Sequence, residues 1–288
     1  MDHVVMAWAG PARAEGRVAV RPRFGVLGPL EVAAADGTPR PLGGRKVRAL
    51  LALLLLHRNQ ALPASRLVHG LWGQDPPPGA EVTLRSHISH LRRHLAHTAA
   101  DHALTTGPAG YRLHVPPGQL DLDRFEQLVG QAHEALALAH PTRAATHVRD
   151  ALALWRGRPF PELDDVDTAA VEAARLEELR LRALEVLAAA ELATGGHREL
   201  VGRLEALVAE HPFRERFCAL LIVALYRSGR QAEALHAYTS TRAHLADELG
   251  LDPGPELQAL NQAVLRQDPD LLGDTEEARE CCVSSRAA

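Results

Sequence analysis

The chain has 288 residues, 46% of them apolar but only 4% aromatic, with a net charge of −4 at pH 7. That length allows two domains, and cores assembled from Leu, Ala and Val favour helix over sheet. Three cysteines, Cys218 and the adjacent pair Cys281 and Cys282, make no disulfide framework and suit a reducing, cytoplasmic setting.

The first twenty residues show no periodicity and are expected to form a disordered tail without a signal-length apolar core. RFGVLGPLEVAAADGTPRPLGG follows, weakly alternating and broken by Gly28, Pro29 and Asp36-Gly37, which predicts short antiparallel strands. RKVRALLALLLLH is an apolar helix whose longest unbroken run, Ala49 to Leu56, is too short to span a bilayer. Pro63 marks the start of a second helix with the body ASRLVHGLW, and GQDPPPG stops it.

The next stretch, TLRSHISHLRRHL (Thr83 to Leu95), carries three arginines, three histidines and no acid. Leu84, Ile88, Leu91 and Leu95 fall on one helical stripe. Ser86, Ser89, His90 and Arg93 lie opposite, with Arg85 and Arg92 on one flank and Thr83, His87 and His94 on the other. ALTTGPAGYRLHV then predicts a hairpin of runs near 104–106 and 111–115. Strands, two helices, a basic helix and a hairpin, in that order, describe a winged helix-turn-helix, whose second motif helix enters the major groove. Charge agrees: residues 21–115 carry 12 basic and 5 acidic side chains, whereas residues 116–288 carry 18 and 29. A basic front on an acidic chain points to an anionic partner, nucleic acid first.

From about residue 120 the pattern is amphipathic helix throughout, with predicted helices at 123–139, 142–155, 167–194, 198–210, 213–228, 231–248 and 255–267. Gly195 and Gly229 lie 34 residues apart, as do Leu192 and Tyr226, Glu199 and Glu233, Leu200 and Ala234, and Leu204 and Tyr238. That is the period of tetratricopeptide helix pairs, which stack into protein-binding surfaces. Residues after about 268 are expected to form a second disordered tail. The fold class expected is therefore mainly α: a winged helix-turn-helix over 21–117, itself α+β, then an all-α tetratricopeptide-like domain over 120–268, between tails 1–20 and 269–288.

Other chemistries find little support. LGGRKVRAL lacks the spacing of a phosphate loop; Arg45, Lys46 and Arg48 there face either solvent or DNA phosphate. His87, His90, His94 and His97 share one side of a helix, but no cysteine or carboxylate completes a metal set, so neither metal nor cofactor is expected. Trp72 and Trp155 are read as core or staple residues. No serine-nucleophile elbow, zinc-protease or dinucleotide motif occurs, and no enzyme activity is expected.

Eleven segments, among them FGVLGPLEV, PLGGRKVRALLALLLLH, TLRSHISHLRRHL, GYRLHV, DLDRFEQLV, ALALWRGRPF, LVAEHPFRERF, ALYRSGRQAEALHAY and LADELGLDPGPELQAL, resemble the SARP family of antibiotic-regulatory transcriptional activators over about 85% of the chain. The resemblance implies an OmpR-like winged helix followed by a bacterial transcriptional activation domain, in a small member of the family. It implies binding to double-stranded DNA at promoter direct repeats, two copies together, contact with RNA polymerase holoenzyme, and control of a secondary-metabolite gene cluster from the cytoplasm, at the nucleoid, with no membrane partner. Carried over position by position, it makes Ser86, His87, Ser89, His90 and Arg92 on the helix and Thr105 on the wing DNA contacts; Arg93 joins them from the wheel alone. Arg45, Lys46, Arg48, Thr83, Arg85 and Arg112 are candidate phosphate contacts. The sequence departs from the family pattern at Ser89 and His90, where better-known relatives carry arginine, which implies more reliance on phosphate and water. The sign of regulation is not written in the residues, so a repressor stays open, as does an adaptor that has lost DNA binding. A fragment ending near Pro117 is expected to keep duplex binding.

Overall fold

The computed structural model describes residues 24–34, 37–96, 104–164 and 166–272. These residues are mainly helical and divide into two compact units, one comprising 24–130 with 150–180, the other 131–149 with 181–272. The first unit takes in residues on both sides of 117–120. The expected tail 1–20 lies outside the described residues.

In the first unit, β1 (Phe24–Gly25) pairs antiparallel with β2 (Glu31–Val32), Phe24 opposite Val32. Helix α1 (Arg45–Leu56) follows Gly43-Gly44 and buries Val47 and every residue from Ala49 to Leu55. A helix apolar on all sides must be enclosed; this one is packed against by the neighbouring helices α2 (Ala64–Trp72) and α3 (Ala80–Ala96), and by a 3-10 turn at Pro161–Leu163. Pro63 precedes α2 directly, as its fixed φ and missing N–H favour at a helix start. The second sheet has the order β3-β5-β4, from β3 (Ala61–Leu62), β4 (Leu104–Gly107) and β5 (Gly110–Leu113). Gly110 turns the hairpin at φ +114°, and a Cβ there would lie 2.0 Å from the Leu62 carbonyl oxygen, so only glycine fits.

The same unit uses residues well past the hairpin. Helix α4 (Asp121–Ala137) opens on Asp121, 3% exposed, whose carboxylate accepts the backbone N–H of Val26 at 2.9 Å and of Leu27 at 3.1 Å. Arg156 donates to the same carboxylate at 2.8 Å and to the Pro29 carbonyl at 2.9 Å. Glu162 accepts the Leu30 N–H at 2.9 Å and pairs with Arg48 at 2.5 Å. Phe125 is fully buried, edge-on to Trp155 at 5.6 Å, so Trp155 is a core residue, as expected. Burial pushes the Asp121 carboxyl above its usual range, against the pull of the Val26 and Leu27 amides and of Arg156. A chain ending at Pro117 would leave three amides and Arg48 without these partners, and the Phe24 N–H without the Gln119 carbonyl. Such a fragment is therefore expected to be less stable than the full chain, because a buried polar group without a partner costs more than its hydrogen bond returns.

The second unit contains part of α5 (Pro141–Leu152), the second half of α6 (Asp167–Ala193), and α7 (His197–Glu210), α8 (Glu215–Arg227), α9 (Gln231–Leu249) and α10 (Pro255–Arg266). Helix α8 packs against both α7 and α9, and α9 against α10. The 34-residue period is visible in the backbone. Gly195 and Gly229 both adopt positive φ, +86° and +75°, and α7 and α9 begin two residues after them. Each turn is closed by an N–H reaching back five residues, Gly196 to Glu191 and Arg230 to Leu225, both at 2.9 Å. Glu191, 6% exposed, draws in Arg149 at 2.6 Å and Arg203 at 2.9 Å. Residues 269–272, expected in the second tail, form a 3-10 turn, and Arg227 donates to the Leu271 carbonyl at 2.7 Å; residues 273–288 lie outside the described residues. Cys281 and Cys282 lie outside the described residues.

Candidate nucleic-acid interface

Helix α3 begins one turn earlier than the periodicity suggested, at Ala80, because PPPG ends at Gly79 and leaves Ala80 as the first apolar anchor. Its stripe packs as the spacing requires: Leu84 and Leu91 are fully buried, Ile88 and Leu95 2% exposed. That orientation forces Ser86, Ser89, Arg92 and Arg93 to solvent, with Thr83 and Arg85 also exposed and His87, His90 and His94 half-buried. The early start brings in one carboxylate, Glu81, 3.6 Å from Arg85 in a highly exposed i,i+4 pair. Such pairs hold weakly and leave the arginine available. From Thr83 to Ala96 the face carries no acid.

Neighbouring elements hold several of these side chains in place. Lys46, exposed at the start of α1, donates to the Leu71 carbonyl and lies 5.8 Å from the Trp72 ring centroid. Trp72, half-buried, stacks on His87 with centroids 6.4 Å apart and planes 14° apart. Partial burial, then the charges of His90 and Lys46, hold the His87 imidazole below its ordinary pKa, so it is a neutral hydrogen-bonding group near pH 7. His90 and His94 meet through their Nε2 atoms at 2.8 Å, and His90 fills the space beside Gly43 that a Cβ would take.

Arg92 is exposed but engaged with the wing. Its Nε donates to the Leu104 carbonyl at 3.1 Å and its Nη2 to Thr106 Oγ1 at 2.6 Å. Thr105 stands opposite Arg112 in the hairpin, and both are exposed. The structure thus brings Thr83, Arg85, Ser86, His87, Ser89, His90, Arg92 and Arg93 onto one helix, sets Thr105 and Arg112 on the hairpin beside it, and leaves Arg45 exposed at the head of α1. Arg48 is drawn off to Glu162. Sequence reasoning missed Thr106 and the tie to Arg92, since twelve to fourteen residues separate the partners and nothing local marks them. Among the described residues no group of three or more His, Cys, Asp or Glu could hold a metal ion, and no helix is long and apolar enough to cross a membrane.

Residues 41–113 match the family model described as transcriptional regulatory protein, C terminal, and residues 120–265 match the bacterial transcriptional activator domain. The regulatory protein DnrI of Streptomyces peucetius is 37% identical over 258 residues, covering 86% of this chain and 94% of DnrI. The chain belongs to the SARP family of transcriptional regulators. Its likeness extends beyond compact relatives of that family. The transcriptional regulatory protein EmbR of Mycobacterium tuberculosis is 40% identical over 263 residues, which are 91% of this chain but 66% of EmbR. The regulatory protein AfsR of Streptomyces coelicolor is 42% identical over 250 residues, 86% of this chain and 25% of AfsR. This SARP chain therefore spans about two thirds of one relative and a quarter of the other. A solved structure of Mycobacterium tuberculosis EmbR in complex with a low-affinity phosphopeptide matches with a TM-score of 0.80 and 38% identity, over 92% of this chain and 69% of that one. The expected fold class, a winged helix-turn-helix followed by a helical activator domain, is thereby established.

Proposed function

We propose that this SARP chain activates transcription by binding double-stranded DNA, with α3 in the major groove and the β4–β5 wing on the adjacent backbone. The observation that carries the reading is the orientation of α3: the stripe residues Leu84, Ile88, Leu91 and Leu95 are buried, so the acid-free face from Thr83 to Ala96 is turned outward. Phosphates can approach that face without repulsion, and serine, histidine and arginine are side chains that read base edges and backbone. In this reading Ser86, His87, Ser89, His90 and Arg93 enter the groove with Arg92 beside them at the wing, Thr105 touches the neighbouring strand, and Arg45, Lys46, Thr83, Arg85 and Arg112 meet phosphates. Arg48, paired with Glu162, is left out.

Two copies occupy direct repeats about one helical turn apart, on one face of the duplex. Residues 120–268 contact RNA polymerase holoenzyme and the second copy, and the target is a secondary-metabolite gene cluster. The chain acts by binding, without catalysis or a cofactor, in the cytoplasm at the nucleoid. Kinship with DnrI, a regulatory protein, supports the regulatory role from which these finer points are drawn. Mapping the sites that the chain occupies across the genome, followed by transcription in vitro with purified holoenzyme, tests the proposal. The expected result is a paired repeat at occupied promoters and transcription that rises with added protein. Occupancy without a shared sequence, or transcription that falls, would overturn it.

A further inference from the structure

We propose that Arg92 is a positioning residue that fixes the wing to the groove-binding helix, so that it sets where the wing meets the duplex while other side chains read the bases. The inference rests on the reading of α3 and the wing as a DNA interface. Arginine offers five N–H donors in a rigid fork. Arg92 commits its Nε and Nη2, the pair on one edge, to Leu104 O and Thr106 Oγ1. That edge is one of the two that could grip guanine bidentately.

Its partners are residues i and i+2 of one strand, either side of Thr105, the wing residue assigned to the DNA backbone. In a strand, residues two apart share a face and the one between points the other way. Holding Leu104 and Thr106 therefore fixes the direction of Thr105. The strand held is the edge of its sheet, in the order β3-β5-β4, so β5 pairs with it on one side only. Without the latch, this strand keeps its pairing with β5 and the buried Leu104. Binding through two points is strongest when their spacing is set beforehand.

The test uses the full chain and a duplex enriched from a random pool by the wild-type protein. Three variants are compared: Arg92→Ala, Arg92→Lys, which keeps charge without the two-point fork, and Thr106→Val, which keeps shape and strand preference but removes the acceptor. Amide hydrogen exchange over Leu104–Gly107 in DNA-free protein reads the latch directly. Expected are faster exchange in all three, and affinity about threefold to tenfold weaker for Arg92→Ala and Thr106→Val, in line with loss of two hydrogen bonds in the first and one in the second. The double variant should bind no worse than Arg92→Ala, and re-selection with Arg92→Ala should return the same bases. A silent Thr106→Val, or an Arg92→Ala chain that loses preference at one base position, would overturn the positioning role alone. A wild-type chain that enriches no sequence would overturn the DNA reading and the positioning role with it.

Discussion

Replacing Asp121 with alanine removes a carboxylate that is 3% exposed and serves three donors. The Val26 and Leu27 amides lose their acceptor, and Arg156, with 28% side-chain exposure, loses its closest anion. Breaking one side of a buried pair costs about 3–5 kcal/mol, and each orphaned amide about 1–3 kcal/mol. These overlap, because Arg156 keeps Glu31 at 3.0 Å and the Pro29 carbonyl. A net loss of about 4 kcal/mol is expected, against a total of roughly 5–15 kcal/mol for a domain. Asp121→Asn keeps an oxygen acceptor and should cost about half as much. Urea unfolding of the full chain carrying Trp8→Phe, followed through the fluorescence of Trp72 and Trp155, reports on the unit concerned. A midpoint for Asp121→Ala that implies a loss below about 1 kcal/mol would refute the view that residues beyond the hairpin brace this unit.

Leu91→Ala should destabilise the same unit by about 2–5 kcal/mol, since a fully buried leucine leaves a cavity, whereas Ser89→Ala should leave urea unfolding unchanged and alter DNA binding; equal effects on stability would mean that α3 is rotated. A fragment of residues 24–117 should show no cooperative unfolding by circular dichroism, while the full chain does. Burial, helped by Arg66, holds the His57 imidazole below its ordinary range. The unfolded chain therefore binds that proton first, and stability falls as pH drops from the ordinary histidine value towards the lower folded one. His57→Gln should flatten that slope in unfolding curves taken across mildly acidic pH.

Helices and wing were legible because their signals are local. The Leu84, Ile88, Leu91 and Leu95 spacing fixed the buried side of α3, and with it the outward face. The 34-residue period anticipated the paired turns at Gly195 and Gly229 for the same reason: a glycine at a helix end states its conformation directly. What escaped was every tie between distant residues. Asp121 is an ordinary acidic residue in the first turn of a helix, and nothing nearby shows that it receives amides 94 and 95 residues earlier. Arg48 reads as another cation at a basic helix start until Glu162 is found beside it. The wheel puts Arg92 on the flank of the stripe and Arg93 opposite it, but nothing local shows that Arg92 reaches Leu104 and Thr106.

The central claim, that the outward face of α3 neutralises DNA phosphates, is tested most directly by the salt dependence of duplex binding. Log affinity should fall linearly with log salt, by about 0.9 per phosphate neutralised. Arg93→Ala and Arg85→Ala should each reduce that slope by about one where they contact phosphate. Arg175→Ala, whose side chain is taken up by Glu172 and Glu126, should leave it unchanged. Affinity that is flat with salt, or slopes that are the same in all three variants, would contradict the account.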